Sequence, residues 1–265
     1  MDQGNLKIMD FNEWANSLYS IASDSIQECF EDHAEGRWKE DFITAEILKR
    51  IKKIPPKSFE YQGDFKNVAW DAYKYNGNLE TVSGDIALII KLEFSNGKYL
   101  EGVAYIEAKR IYHSKNLKNC NYKSIKWDRL TEYSSYSHAH YVMLYDIMPD
   151  SPVTYLCKAI PTEHLLTISS NKRDIYPFCE YFHQLLAYRL SMGYGLDFNQ
   201  DKVNEAKGFS ESSRRFKYLM TGSFKHSIEP NLVPEVIKVN QNLYGSFDPP
   251  KSKQKLDDWT PKPPR

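Results

Sequence analysis

The sequence predicts an α/β fold with a core of one helix, a three-stranded antiparallel meander, a second helix and further strands, and with helical additions at both ends. Three observations support this prediction. Apolar residues recur at helical spacing before residue 53, the period changes to two from residue 67, and a Ser-Asn-Gly turn separates two long apolar runs. A chain of 265 residues that is 41% hydrophobic can bury a large core without disulfides or structural metals.

Two helices are predicted before the sheet. Asp10, followed three residues later by Glu13, forms a capping-box pattern, and apolar residues then recur at helical spacing to about Phe30. A second helix is predicted over about 37–53, because the pattern continues to that point and Pro55-Pro56 stops it.

The remaining elements follow from changes in apolar period and from turn residues. We predict strands over about 67–76, 82–94 and 98–112, a helix from residue 124 to before residue 138, buried strands over 140–148 and 153–160, and helices over 162–170 and 176–192. Residues 196–245 have no clear period. The predicted organisation is an acidic N-terminal helix (1–36), the core (37–170), a C-terminal helical extension (171–245) and an extended or disordered Pro/Lys-rich tail (246–265).

Composition and motif content exclude several classes of protein. The 35 basic and 35 acidic residues give a formal net charge of zero, which argues against coating nucleic acid or membrane through bulk positive charge. The longest apolar run, Ile86 to Ile90, is too short to span a bilayer, and acidic residues lie where a signal peptide would be apolar. The four cysteines are scattered, and the common nucleotide-binding, zinc-peptidase and serine-hydrolase motifs are absent from the sequence. We therefore expect a soluble, cytoplasmic protein.

Three acidic residues and one lysine occupy positions at which a phosphodiester hydrolase needs them. Asp85 begins the second predicted strand, Glu107 and Lys109 lie near the end of the third, and Glu40 lies in the preceding helix. Residues 107 and 109 point to one face of their strand, because side chains alternate with a period of two. Mg²⁺ prefers carboxylate and carbonyl oxygens, which Asp85, Glu107 and the Ala108 carbonyl can supply.

The length of the hairpin loop decides whether Asp85 faces Glu107. A two-residue turn at Asn96-Gly97 places Asp85 opposite Ala108, with its side chain on the other face of the hairpin. A three-residue loop, Ser95-Asn96-Gly97, places Asp85 directly opposite Glu107. Such loops need a left-handed residue at the third position, where glycine has no Cβ penalty. We therefore predict the three-residue loop or a compensating bulge.

This arrangement resembles the PD-(D/E)XK nuclease superfamily, which has the restriction endonuclease-like fold. The similarity covers roughly residues 37–148 and consists of Gly84-Asp85, the run Glu107-Ala108-Lys109 and the preceding helix with Glu40. Gly84 stands where the motif has proline. The resemblance implies that Asp85 and Glu107, with the Ala108 carbonyl, hold Mg²⁺ or Mn²⁺. It also implies that Glu40 binds a second metal, directly or through water, and that Lys109 orients or helps to activate the attacking water.

The resemblance implies a metal-dependent endonuclease, with DNA favoured over RNA as the substrate. Small chains of this superfamily commonly serve restriction or antiviral defence, often beside an ATPase or helicase, and a partner of that kind is expected here. Two alternatives remain open. In the first, the chain is a nuclease-fold subunit that binds nucleic acid or a partner without cutting. In the second, it is an interaction protein whose Asp…Glu-x-Lys pattern is coincidental.

Charge is distributed unevenly along the chain. Residues 1–46 hold eleven acids and three bases, whereas residues 109–129 hold seven bases and one acid. A basic segment directly after the predicted site is where a nucleic-acid backbone is expected to lie, although a solvated lysine-rich loop has the same composition. The predicted nucleic-acid contacts are Lys115, Lys118, Lys123, Lys126, Arg129 and Tyr133. A second cluster extends this basic track and consists of Arg214, Arg215, Lys217 and Lys225.

Overall fold

The helices lie mainly in the first and middle parts of the chain. A computed structural model describes residues 10–61, 64–77, 83–113, 120–210, 214–228 and 232–247. Its helices are α1 (Phe11–Glu31), α2 (Glu40–Lys52), α3 (Trp127–Tyr136), α4 (Thr162–Ile168), α5 (Phe182–Gln184) and α6 (Gln200–Lys207). Asp10 caps α1 as predicted, because its carboxylate accepts hydrogen bonds from the N–H groups of Asn12 and Glu13.

The described strands form one large mixed sheet and one small ribbon. They are β1 (Lys57–Tyr61), β2 (Asp64–Tyr75), β3 (Gly84–Glu93), β4 (Tyr99–Arg110), β5 (Tyr112–His113), β6 (Cys120–Asn121), β7 (His140–Met148), β8 (Thr154–Pro161), β9 (Glu180–Tyr181), β10 (Phe216–Ser227) and β11 (Tyr244–Ser246). The sheet order is β1-β2-β10-β3-β4-β7-β8-β9, with β11 paired to β2, and β5 pairs with β6 in the ribbon. The predicted α/β class is therefore confirmed.

The β3–β4 hairpin has the predicted three-residue loop. The Phe94 N–H donates a hydrogen bond of 2.8 Å to the Lys98 carbonyl, and Gly97 has a φ of 77°. Ile86 pairs with Ile106, and the same register continues to the loop. Extending that register by one residue places Asp85 opposite Glu107, so the two side chains share one face of the hairpin.

The predicted meander is wrong in one respect, because β2 does not lie beside β3. Strand β10 lies between them, antiparallel to β2 and parallel to β3. The sequence predicts a helical extension over 171–245, yet this segment supplies a central strand to the sheet of the predicted core. The two ranges therefore share one sheet. Local patterns do not reveal this pairing, because it joins Phe216 to Gly84, which are far apart in the chain.

The long helix predicted over 176–192 is also replaced by shorter elements. A 3₁₀-helix, Arg173–Phe178, contains Pro177, which has no N–H for a helical hydrogen bond. After β9 and α5 the chain forms a π-helix over Leu185–Arg189 and a 3₁₀-turn over Leu190–Met192. Gly193 ends this stretch, as predicted, with a φ of 87°. Of the predicted tail, residues 248–265 lie outside the described residues.

The sheet is buried on both faces, which explains the uninterrupted apolar run at residues 86–90. Ile86, Leu88 and Ile90 belong to the larger apolar cluster, together with Trp14 of α1. Ala87 and Ile89 belong to a smaller cluster on the opposite face, which includes Val203 of α6. A strand buried on both faces reads as continuous rather than alternating hydrophobicity. Within the described ranges, no helix is long and apolar enough to cross a membrane.

Candidate active site

Asp85, Glu107 and Lys109 lie together at the adjoining ends of β3 and β4. The Asp85 Oδ2 atom accepts a hydrogen bond of 2.9 Å from the Ala108 N–H. The Lys109 ammonium donates one of 2.7 Å to Glu107 Oε1. The structure therefore brings three of the four predicted catalytic residues together. Lys109 bonds to Glu107, and Asp85 bonds to the backbone of Ala108, which lies between them. With Glu40, we call these residues the carboxylate–lysine cluster.

Glu107 is a buried carboxylate with incomplete hydrogen bonding. Glu107 and Lys109 are each only 6% exposed. The Glu107 Oε2 atom is buried and has no hydrogen-bond partner within the described part of the chain. A buried acceptor left without a partner costs about 1–3 kcal/mol, and a charged one costs more. This oxygen is therefore available to a cation, and binding one would relieve the cost.

The cluster also changes the protonation of its members. Burial and repulsion from Glu107 raise the pKa of Asp85 to about 7, whereas Lys109 and the Ala108 N–H favour its charged form. For Lys109, burial alone favours the neutral amine, but three neighbouring carboxylates outweigh burial and raise its pKa. Lys109 is therefore an ammonium at neutral pH. It can orient and donate to oxygen atoms, but it does not act as a base in this state.

Glu40 reaches the edge of the cluster from the first residue of α2. Its Oε1 atom accepts hydrogen bonds of 3.1 Å from the Arg110 N–H and 2.5 Å from the Ser124 hydroxyl. Its Oε2 atom is 3.9 Å from Lys109 Nζ. Glu40 thus lies next to the other three members of the cluster on the side of Lys109. It also connects α2 to the end of β4 and to the segment before α3.

The oxygen atoms of the cluster suit a hard divalent cation. Asp85 and Glu107 offer carboxylate oxygens on facing strands, and Glu107 Oε2 accepts no hydrogen bond from any residue that the structure describes. Among the residues that the structure describes, no group of three or more His, Cys, Asp or Glu side chains is arranged to hold a metal ion. Mg²⁺ usually keeps several waters and is bound by one or two carboxylates plus substrate phosphate, so a pair fits. The roles of Glu40 and the Ala108 carbonyl as ligands stay predictions.

Tyr133 of α3, one of the predicted nucleic-acid contacts, is buried beside the start of β3. It is 5% exposed, and its hydroxyl donates to the Ser83 carbonyl, two residues before Asp85. Its ring stacks on His140 at 4.8 Å between centroids. This burial does not fit the predicted contact with nucleic acid. Tyr133 instead fixes the chain at the start of β3.

Of the other five predicted nucleic-acid contacts, two are exposed, one is partly buried and two lie outside the described residues. Lys123 and Lys126 are exposed, whereas Arg129 is partly buried and its guanidinium donates to the Tyr133 hydroxyl. Lys115 and Lys118 lie outside the described residues.

A groove of about 200 Å³ opens beside Glu40 and is lined by Lys39, Glu40, Asp41, Arg110 and Tyr112. The Arg110 guanidinium lies 3.9 Å from the centroid of the Tyr112 ring.

The pairing of β10 with β3 brings a second basic segment to the site. Phe216 pairs with Gly84, and the Ser83 N–H donates a hydrogen bond of 2.6 Å to the Arg215 carbonyl. Arg214, Arg215 and Lys217 therefore lie at the same end of the sheet as Asp85. Lys225 lies at the far end of β10, where it pairs with Glu93 at 2.6 Å. The sequence shows this basic cluster, but not its position beside the site, because that depends on a distant strand pairing.

No protein-family model, curated protein or solved structure matches the chain. The chemistry of the carboxylate–lysine cluster is therefore the basis for assigning a function.

Proposed function

We propose that this protein is a metal-dependent nuclease that uses Mg²⁺ or Mn²⁺ to hydrolyse phosphodiester bonds, with DNA as the favoured substrate. The observation that carries the proposal is the buried pair Glu107 and Lys109 facing Asp85, in which Glu107 Oε2 has no hydrogen-bond partner among the described residues. In a buried ion pair with a purely structural role, both charged groups normally have hydrogen-bond partners for all their polar atoms, because an unpaired buried charge is costly. A buried carboxylate oxygen that lacks a hydrogen-bond partner, beside a second carboxyl with a raised pKa, instead favours a cation site.

The cation would be held by Asp85 and Glu107, whose mutual repulsion a positive charge removes. When bound, such an ion polarises the scissile phosphate and lowers the pKa of an attacking water. Lys109, held by Glu107 and near Glu40, donates hydrogen bonds that orient the water and offset charge on the phosphate. Glu40 keeps the Lys109 ammonium in place and holds the segment before α3 through Ser124.

The charged surroundings support a nucleic-acid substrate. Lys123 and Lys126 are exposed in the segment that contacts Glu40 through Ser124, and the segment with Arg214 and Arg215 lies on the side formed by β10. Phosphate contacts of this kind position a backbone without reading its sequence. Cutting guided by a partner, such as an ATPase or helicase subunit in restriction or antiviral defence, fits this chain better than sequence-specific cutting on its own.

The test is a cleavage assay with purified protein on plasmid, linear duplex, single-stranded DNA and RNA, with Mg²⁺, Mn²⁺ or EDTA. We expect metal-dependent cleavage that falls at least ~100-fold in Lys109→Met, because loss of a charge-stabilising group typically costs about 3 kcal/mol or more. Lys98→Met is the matched control, since Lys98 is exposed beside the hairpin loop of the same sheet. Equal cleavage by wild type and Lys109→Met would refute the proposal.

A second candidate function is a nuclease-fold subunit that binds nucleic acid or a partner without cutting. The contact between Lys109 and Glu107 favours it, because this ammonium already neutralises one of the two carboxylates. Binding to the same four substrates without cleavage in either metal would support this candidate. Substituting Lys115, Lys118 and Lys123 together by glutamine should then weaken binding and flatten its salt dependence, since fewer counterions are released.

A further inference from the structure

The groove beside Glu40 begins where the carboxylate–lysine cluster ends. Its lining consists of Lys39, Glu40, Asp41, Arg110 and Tyr112. Glu40 belongs to both sites, because one of its carboxylate oxygens lies 3.9 Å from Lys109 Nζ and the other accepts a hydrogen bond from the Arg110 N–H. A substrate strand that places a phosphate at the cluster can therefore extend into this groove.

Arg110 and Tyr112 line the groove, whereas the residue between them belongs to the core. Ile111 is fully buried, and its N–H donates a hydrogen bond of 2.9 Å to the Tyr145 carbonyl. Side chains alternate along extended backbone, so the two neighbours of Ile111 share the side away from the core. Strand β5 holds Tyr112 in this position, because it pairs there with Asn121 of β6.

The side chains of Arg110 and Tyr112 form a stack. The Arg110 guanidinium lies 3.9 Å from the centroid of the Tyr112 ring, and both residues are half-buried. Guanidinium planes and aromatic rings are the surfaces on which proteins stack unpaired bases, because every base has a π face. The pair can therefore receive a base of any sequence.

The size of the groove favours a single nucleotide over a duplex. Its volume of about 200 Å³ is smaller than that of pockets for drug-sized ligands, roughly 300–1,000 Å³. A base within a duplex is paired and stacked, so it must be flipped out before it can enter a groove of this size. An unpaired base enters without that cost in free energy.

The charges of the groove also suit a nucleic-acid strand. Both of its acids already have partners, because Asp41 forms an ion pair with Lys217 and Glu40 accepts the hydrogen bond from the Arg110 N–H. Its two bases are the exposed Lys39 and the half-buried Arg110. These cations can contact the phosphates on either side of a stacked base, which positions the strand without reading its sequence.

We propose that this groove binds one unpaired nucleotide of the substrate, with its base stacked on Arg110 and Tyr112, and that the protein acts on single-stranded nucleic acid in preference to duplex. The inference rests on the proposed nuclease function and assigns its substrate class. Lys39 contributes a contact to an adjacent phosphate.

The experiment is fluorescence anisotropy of a labelled oligonucleotide of about 20 nucleotides, longer than the usual site of a single-strand-binding domain. The oligonucleotide is titrated with the full chain as a single strand and as a duplex, in EDTA and at one salt concentration. EDTA prevents metal-dependent cleavage, so binding is measured by itself. We expect the single strand to bind at least ~10-fold more tightly, because no base has to be flipped out.

Two substitutions test the stack. Tyr112→Leu removes the ring and should weaken single-strand binding about 10-fold, with a change of less than ~2-fold for the duplex, whereas Tyr112→Phe should bind as wild type does. Arg110→Lys keeps the charge but loses the guanidinium plane, and it should weaken single-strand binding about 5-fold. Tyr99→Leu is the matched control and should change neither affinity. Tyr99 is 57% exposed at the other end of β4, where Lys91 Nζ lies 4.9 Å from its ring centroid.

The use of two positions keeps the test valid if one variant fails to fold, and the duplex affinity of each variant reports on its folding. Equal affinity of wild type for the two forms overturns the inference. Single-strand binding that is unchanged in both Tyr112→Leu and Arg110→Lys overturns it as well.

A parallel cleavage assay separates this inference from the proposed nuclease function. Cleavage that depends on Lys109 but shows no preference for single strands overturns the substrate class alone. Single-strand binding that depends on Tyr112, without cleavage in Mg²⁺ or Mn²⁺, overturns the nuclease proposal alone and supports the groove as a binding site.

Discussion

Replacing Asp85 by asparagine separates the effect of its charge on stability and cleavage from the effect of its shape. Asparagine keeps an oxygen that can accept the 2.9 Å hydrogen bond from the Ala108 N–H. It removes the negative charge that Glu107 repels. We therefore expect Asp85→Asn to stabilise the folded protein in metal-free buffer at alkaline pH, although the same change should abolish metal-dependent cleavage.

The raised pKa gives the sign and size of this effect. A carboxyl with a folded-state pKa of about 7 and an ordinary value of 3.8 destabilises the fold progressively as pH rises from 3.8 through 7. The interval corresponds to about 4 kcal/mol at about 1.36 kcal/mol per pH unit. Partial exposure and relaxation of the neighbouring groups reduce it, so we expect a gain of about 2 kcal/mol at pH 8 and less than about 1 kcal/mol at pH 5.

The assay is urea unfolding followed by circular dichroism at pH 5 and pH 8, with EDTA and with Mg²⁺. Mg²⁺ should stabilise wild type and not Asp85→Asn, because a ligand stabilises only the state that binds it. Asp24→Asn, at an exposed position of α1, is the control and should show no difference between the two pH values. A stability change in Asp85→Asn that is the same at both pH values would refute the assignment of charge repulsion to this site.

Three further outcomes test other parts of the structure. Arg173→Met should lower the free energy of unfolding by about 3–5 kcal/mol, because it leaves the buried Asp146 carboxylate without its bidentate partner; urea unfolding measures this loss. Gly97→Ala should cost about 1–2 kcal/mol in the same assay, since its φ of 77° penalises a Cβ. Ser124→Ala should reduce the cleavage rate about 10-fold or more by releasing Glu40, because a hydrogen bond to a charged group contributes about 1.5–3 kcal/mol.

Each of these outcomes has its own control. Asp146→Leu combined with Arg173→Met should recover part of the lost stability, because no unpaired charge remains. Ser95→Ala, in the same loop as Gly97, and Ser135→Ala, on the exposed side of α3, should behave as wild type. A fully stable Arg173→Met protein, an unaffected Gly97→Ala hairpin or an unchanged cleavage rate in Ser124→Ala would each contradict the corresponding contact.

The part of the site that lies within one hairpin could be predicted from the sequence. The loop length and Gly97 determine the register, and the register determines that Asp85 faces Glu107. Lys109 follows from the two-residue period of the strand. These relations are local, because all the residues belong to two consecutive strands.

The relations that the sequence could not predict join distant segments. Strand β10 enters the sheet between β2 and β3, and no turn or motif in residues 216–227 identifies those partners. Aromatic spacing favoured one helix over 176–192, but Pro177 and the tertiary packing of this segment produce several short elements instead. The burial of Tyr133 depends likewise on a contact with Ser83, 50 residues away.

The insertion of β10 means that the centre of the sheet is completed by a late part of the chain. Phe216 pairs with Gly84 across about 130 residues, so the centre of the sheet stays open until residue 227 has been synthesised. Until then, β2 and β3 each present an unpaired edge, which is the kind of edge that promotes aggregation. Contacts of such long range also slow folding, because loop closure precedes the stabilising interactions. A chain truncated before residue 216 therefore retains every residue of the carboxylate–lysine cluster but lacks the strand that supports it.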